Sequence, residues 1–498
     1  MDLKIKKPHL KWVWITTTAA FCALFALAFI PGASAQGNTA SSEGTNNTQQ
    51  VRNYANIMQN AFDFIVRNYV EEVDPKVIFE GAMNGMFGAL EDPYSSFLTE
   101  SDMGDMSHTT QGSFGGVGLN IIPFKQKPDG KLTYVEVVSP IEDTPGWRAG
   151  INPGDLITEI NGISTGTMTM DEVLGILRGT PGESVRLVIK RGERMEFPVT
   201  ITRAIIEVPT VKHAMIGDTG YLKLLTFTPM TAERAREAIS EFRSNNYKSL
   251  ILDLRNNYGG LLNSAVEIAD LFLDGGLVVR TRSRIRLENR DFNAQRSTLV
   301  PADIPVIVLI NKGSASASEI VAGALKDRGR AYLVGENSFG KGSVQQVFNL
   351  SSAGFKITTA RYYTPSDVNI DKIGIPPDRE VKFPEYTEED AGRLNQLINA
   401  NKIPEFAAQN PQASQTQIDT FARSLEREYS LNVSLLKRLI RNELNRTSFA
   451  PVYDLEYDIQ LQEALNILRG GTYQNLMQNA RTLKSLQEEA ENNMAQAS

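Results

Sequence analysis

Ser314, Ser316 and Ser318 alternate with Ala315 and Ala317, directly after the apolar run Val306–Ile310. A helical pattern follows at Ile320, Val321, Ala324 and Leu325. A strand, a small-residue turn and a helix can present a serine where backbone N–H groups favour developing negative charge. Any of the three can instead cap the helix, the commoner use of serine at such a place. Lys341 lies between Gly340 and Gly342, after a second apolar run at Ala331–Val334. A lysine enclosed by backbone and apolar groups loses its charge readily and can take a hydroxyl proton. Serine with lysine is one variant of the hydroxyl-plus-base arrangement. A solvated loop cation is the bland alternative, and a P-loop is excluded by the spacing. A third element, Asp253–Gly260, ends an apolar strand pattern with a glycine pair. Its backbone N–H groups can bind an oxyanion. It reads equally as a turn into a helix near Leu262, with Asp253 and Arg255 as a structural pair.

A different glycine cluster opens another strand: Gly115, Gly116, Val117, Gly118 and Leu119. Glycines let successive N–H groups converge on an anion such as a chain-terminal carboxylate. A peptide then adds as a strand beside Leu119–Ile122, its last side chain walled by Val173 and Leu177. An ordinary glycine-rich turn is the alternative. The order decides: this loop, then Ser139-Pro140, Ala149–Ile157 and Ile160-Asn161-Gly162 resemble a PDZ domain over about 90 residues.

The elements that must position these groups form an ordered series. Residues 51–98 carry apolar residues at helical spacing, broken at Asp74-Pro75, where Asp74 caps the second helix. Residues 99–112 read as a polar linker. Strands alternate with helices from about residue 204 to 380, which implies an α/β layered core. The remainder is helical and charge-rich. Of 498 residues, 51 are Lys or Arg and 58 are Asp or Glu, a net charge of -7. That balance argues against nucleic acid as partner. A single cysteine excludes an intramolecular disulfide, and three histidines leave little for a metal site or a His-based triad. Lys4, Lys6, Lys7 and Lys11, an apolar run to Ile30 and Ala33-Ser34-Ala35 form a secretory signal peptide cut before Gln36. An uncleaved membrane anchor is the alternative.

Taken together, Ser314–Ser318, Phe339–Gly342, Asp253–Gly260, Leu90–Leu98 and Gly374–Asp378 resemble the carboxyl-terminal processing (tail-specific) serine peptidases. The likeness runs from about Val51 to Val381. It implies a multidomain α/β protein: a ClpP/crotonase-like peptidase core, an inserted PDZ domain, and helical N- and C-terminal regions. The expected boundaries are 1–35 signal peptide, 36–50 flexible linker, 51–112 helical region, 113–203 PDZ domain, 204–381 peptidase core and 382–498 helical region. The resemblance makes Ser316 the nucleophile, Lys341 its base, Gln345 the group that orients the lysine, and the N–H groups of Gly260 and Ala317 the oxyanion hole. Asp327 matches a supporting position. Tyr258 stands where the family usually has proline. The implied partners are proteins or peptides with apolar C-termini, without metal or other cofactor, in the periplasm or cell envelope. Homo-oligomer formation is one role for the last hundred residues. Two other classes compete: a PDZ adaptor on an inactive scaffold, and an acyl-CoA enzyme of the crotonase type.

Overall fold

The computed structural model describes residues 43–123, 134–192, 194–350, 353–383, 387–446 and 451–497. The segment expected to be a signal peptide lies outside them. The chain divides into two compact units, residues 1–82 and 83–498. In the first, α1 (Glu43–Asn68) is followed by the start of α2 (Pro75–Gly88). Asp74 caps α2 as expected, its carboxylate accepting from Lys76 N at 2.8 Å. The segment expected to be a flexible tether is helical from Glu43 onward. Polarity misled there, because Glu43, Gln49 and Gln50 are good helix formers despite their polarity.

In the second unit, β1 (Ser96–Leu98) leads into α3 (Glu100–Gln111), where a mobile linker was expected. Thr99 and Asp102 form a capping box, so this polar segment has a defined start. The PDZ-like region is built on a sheet of β3 (Leu119–Pro123), β4 (Val135–Pro140), β5 (Leu156–Ile160), β6 (Ser184–Arg191) and β7 (Met195–Thr202), in that spatial order. Its helix, α4, spans Met170–Leu177. The preceding strand β2 (Ser113–Gly116) leaves that sheet and pairs with β8 (Ala204–Glu207). The ribbon therefore crosses the boundary expected at residue 203.

The catalytic-type core is a six-stranded sheet. It contains β9 (Val211–Ile216), β10 (Thr219–Leu224), β11 (Ser249–Asp253), β14 (Val306–Ile310), β15 (Tyr332–Gly335) and β18 (Arg379–Glu380), in that spatial order. All neighbours from β10 onward are parallel. Every residue of β11 and β14 is buried, which explains the unbroken apolar run of β14 and the apolar centre of β11 at Leu250–Leu252. Helices α5 (Thr231–Ser244), α6 (Leu262–Asp270) and α7 (Ala317–Asp327) supply the crossovers. A second sheet joins β1, β12 (Gly276–Arg282) and β13 (Arg290–Ala294) to the hairpin of β16 (Ser343–Leu350) and β17 (Ala353–Tyr363). Beyond residue 387 all regular elements are helices. Four of them, within residues 388–446, enclose a separate apolar core around Leu397, Leu425 and Leu436.

Candidate active site

The three chemical motifs follow the carboxyl ends of β11, β14 and β15, which are adjacent parallel strands. This is where open α/β sheets place their ligand crevices. Sheet order thus unites segments far apart in sequence. A cavity of about 430 Å³ lies there, lined by Ser316, Lys341, Gly260, Tyr258 and Gln345. Apolar walls come from Phe227, Leu261, Leu262, Ile320 and Val344.

The competition between the three serines is resolved by hydrogen bonding. Ser314 Oγ donates to Leu254 O at 2.9 Å, and Ser318 Oγ donates to Asn257 O at 2.8 Å. Both are buried and stitch the serine turn to the glycine loop. Ser316 instead faces the cavity, at φ 55° and ψ -114°. A non-glycine residue there is strained, and the strain persists only because the surroundings fix it. Its N–H donates to Glu319 Oε2 at 2.8 Å.

The glycine pair earns its place sterically. Gly259 and Gly260 have φ of 102° and 144°. A Cβ on Gly259 would lie 2.8 Å from Ser316 Cβ, and one on Gly260 would lie 2.2 Å from Phe227 O. Asn257 holds the loop: its Oδ1 accepts from Gly259 N at 2.9 Å, and its O accepts from Ala315 N at 3.1 Å. Among the described residues, neither Gly260 N nor Ala317 N has an intramolecular acceptor. Tyr258 is largely exposed, and the glycine pair takes this course without the family's proline.

Lys341 is half-buried, and its Nζ lies 4.8 Å from the centroid of the Tyr94 ring. Burial first, then the charge of Lys356, pushes its pKa below the usual lysine value, while Glu319 and Asp92 pull the other way. Among the described residues no hydrogen bond joins Lys341 Nζ to Ser316 Oγ. Gln345 does not reach the lysine either. Its Nε2 donates to Ser343 Oγ at 2.9 Å and to Thr358 Oγ1 at 3.2 Å, because the β16–β17 pairing puts Thr358 directly beside it.

Glu319 was not foreseen as a site residue. It is fully buried and accepts from Ser316 N, Ser338 Oγ, Gly340 N and Lys341 N. Burial raises its pKa despite these four donors. Asp92, from the Leu90–Leu98 run, accepts from Ser95 Oγ and Thr358 Oγ1, both at 2.6 Å. Burial acts to raise it, but these bonds and Lys341 hold it below the usual carboxylate value. Asp253 and Arg255 do form a structural pair, with Nη2 to Oδ2 at 2.6 Å. Asp327 accepts from Ser366 and from Leu483 N, so it anchors chain segments away from the cavity.

In the PDZ-like region, β3 is the edge strand expected for peptide addition. Val173 and Leu177 share the inner face of α4 and are buried with Val117 in the domain core. Their i, i+4 spacing aims both inward. Leu174, Gly175 and Arg178 instead face a cleft shared with Gly115 and with Glu100 and Gly104 of α3. Arg178 also stacks on Phe114 at 5.5 Å. Gly116 and Gly118 are buried at the loop, and Leu119 is half-buried.

A strained serine over paired glycines, with a half-buried lysine in the same cavity and a PDZ-like sheet earlier in the chain, defines a serine peptidase with a PDZ domain. Comparison with known proteins gives the same class. Peptidase family S41 matches residues 218–381, a PDZ domain matches 136–191, and the activating protease CtpB N-terminal domain matches 17–101. The carboxy-terminal-processing protease of Bartonella bacilliformis is 40% identical over 351 residues, spanning 69% of this chain and 79% of that protein. Carboxy-terminal processing protease CtpB of Bacillus subtilis is 36% identical over 338 residues, 66% of this chain and 68% of that protein. The solved photosystem II D1 C-terminal processing protease shares 30% identity, covering 65% of this chain and 92% of that one, at a TM-score of 0.38. The chain belongs to the carboxy-terminal-processing protease family.

Proposed function

We propose that this serine peptidase cuts protein substrates at or near their C-terminal ends with a Ser316–Lys341 dyad. The observation that carries the assignment is the division of labour among the serines. Ser314 and Ser318 give their hydroxyls to the glycine loop, whereas Ser316 turns its own into the cavity that Lys341 lines. Neutral Lys341 takes the proton from Ser316 Oγ as that oxygen attacks the scissile carbonyl. The N–H groups of Gly260 and Ala317 hold the oxyanion, the protonated lysine returns its proton to the leaving amine, and water resolves the acyl-enzyme. Gln345 lines the same cavity, and orienting the lysine requires its Oε1 to accept from Lys341 Nζ.

The edge strand β3 and the Gly115–Gly118 loop suit capture of a substrate tail by strand addition. Tail capture then gates the enzyme by bringing Lys341 onto Ser316. The basic, apolar and small-residue segments of residues 1–35 support an extracytoplasmic site of action. The test is turnover of an unfolded protein with an apolar C-terminus by the full chain and by Ser316→Ala. Cleavage by the first alone supports the dyad reading. Equal activity refutes it, and tail binding without turnover in both favours an adaptor. Gating is tested by adding a free tail peptide. A rise in turnover of a second substrate is expected, and an unchanged rate would sink the gate.

A further inference from the structure

The catalytic cavity contains a second lysine that the dyad does not use. Lys356 lies on β17, paired with Val347 on one side and Ser96 on the other, and lines the same cavity as Ser316 and Lys341. It is half-buried, and no ion pair or hydrogen bond of its side chain occurs among the described residues. The cavity lining contains no Asp or Glu. The two carboxylates nearest the dyad are already committed. Glu319 accepts four hydrogen bonds, and Asp92 accepts from Tyr94 N, Ser95 Oγ and Thr358 Oγ1. With Lys341 acting as a neutral base, Lys356 is the remaining cation in a space otherwise lined by apolar groups, hydroxyls, backbone and the Gln345 amide.

A half-buried ammonium without a counter-ion calls for an anion from the substrate. A peptidase substrate carries one anion at a fixed place whatever its sequence, the α-carboxylate of the chain end. We propose that Lys356 binds the free α-carboxylate of the substrate a few residues beyond the scissile bond. The active site itself then measures distance from the C-terminus, separately from tail capture by the PDZ domain. A cavity of about 430 Å³ holds a few residues and no folded segment, which suits a short distance. This inference rests on the peptidase reading above.

The experiment compares two short peptides, identical except that one ends in a free acid and the other in an amide. Both are assayed with the full chain, Lys356→Gln and Lys356→Arg, each at the plateau of its own pH profile. Any PDZ preference for the acid is common to all three proteins and cancels when their acid-to-amide ratios are compared. Lys356→Gln is expected to lower the kcat/KM ratio about tenfold, the scale of one charge-assisted hydrogen bond, while leaving the amide rate near wild type. Lys356→Arg is expected to keep most of the preference. An unchanged ratio in Lys356→Gln overturns the proposal, and so does an equal loss on both peptides. Ser316→Ala, assayed alongside, checks the underlying reading. If that variant cleaves normally the dyad assignment fails, whereas its inactivity with an unchanged ratio removes only the carboxylate site.

Discussion

Ser316 and Lys341, 25 positions apart in sequence, are tied together through their backbones by two buried side chains. Oε2 of Glu319 accepts from Ser316 N at 2.8 Å and from Lys341 N at 2.9 Å. The Tyr362 hydroxyl donates to Lys341 O and lies 3.4 Å from Ser316 O. The proposed nucleophile and base are thus placed by a shared carboxylate and a shared phenol, leaving both side-chain ends free for substrate.

That arrangement makes Glu319 a positioning residue. Glu319→Gln keeps the shape but turns one acceptor into a donor facing N–H groups. At least one bond is lost and one donor is stranded, at a cost of about 1–3 kcal/mol. The kcat is expected to fall about a hundredfold with KM little changed, because the groups that contact substrate remain. Steady-state kinetics beside circular dichroism reads this. A variant with wild-type kcat would show that the shared carboxylate is dispensable.

The pH profile should report the lysine. Burial and Lys356 depress the Lys341 pKa, so the proton leaves at a lower pH than the ordinary value of 10.5. On the dyad reading the active form is the neutral one, so kcat/KM is expected to climb with pH and to level off below 10.5. Lys356→Gln removes the neighbouring cation while Glu319 and Asp92 remain. The Lys341 pKa then rises, and the climb moves to higher pH. A profile that stays in place would mean that another group limits the rate.

Much of this site was legible because its strands are buried on both faces. Val306–Ile310 reads as an unbroken apolar run and Leu250–Leu254 as one broken only by Asp253, and a motif lies at the end of each. The choice among Ser314, Ser316 and Ser318 was not legible from local pattern alone. It depends on bonds from two of them to Leu254 and Asn257, about 60 positions away. Glu319 looked like an ordinary acidic residue in a helix's first turn, a placement the helix dipole already explains. The clue lay in its neighbours, since the residues from Ala317 to Lys326 are all buried. Asp92 was quoted in a motif but could not be placed, because β1 pairs with β17 across more than half the chain. The spacing of Val173 and Leu177 marked the buried face of their helix, and both are buried as that spacing implies.

The oxyanion loop gives a steric prediction. A Cβ at residue 260 meets Phe227 O at 2.2 Å, and φ of 144° disfavours any L side chain. Gly260→Ala must therefore turn or shift the N–H that lines the cavity. Loss of one oxyanion donor costs about 10²–10³ in kcat. Tail binding, measured by fluorescence anisotropy of a labelled peptide, should persist. Retained turnover would exclude Gly260 N as the donor.

The core also leans on the chain's far end. Arg255 pairs with the fully buried Asp253 and with Asp458, at 2.6 Å each, and donates to Gln460 Oε1 at 3.0 Å. Burial alone would raise the Asp253 pKa, but Arg255 foremost, then Lys223 and the Tyr221 hydroxyl, hold it below its ordinary 3.8. A depressed carboxylate contributes stability above its unfolded pKa and loses it as pH falls through the folded value. Arg255→Met leaves Asp253 buried without its cation, at about 3–5 kcal/mol. Asp458→Asn leaves the Arg255–Asp253 pair intact and should cost less. Urea midpoints at pH 7 are expected to rank wild type above Asp458→Asn, and Asp458→Asn above Arg255→Met. The gap between wild type and Arg255→Met should shrink as pH falls below the ordinary 3.8 and Asp253 takes up its proton. A gap independent of pH would assign the loss to packing of the guanidinium and not to its charge.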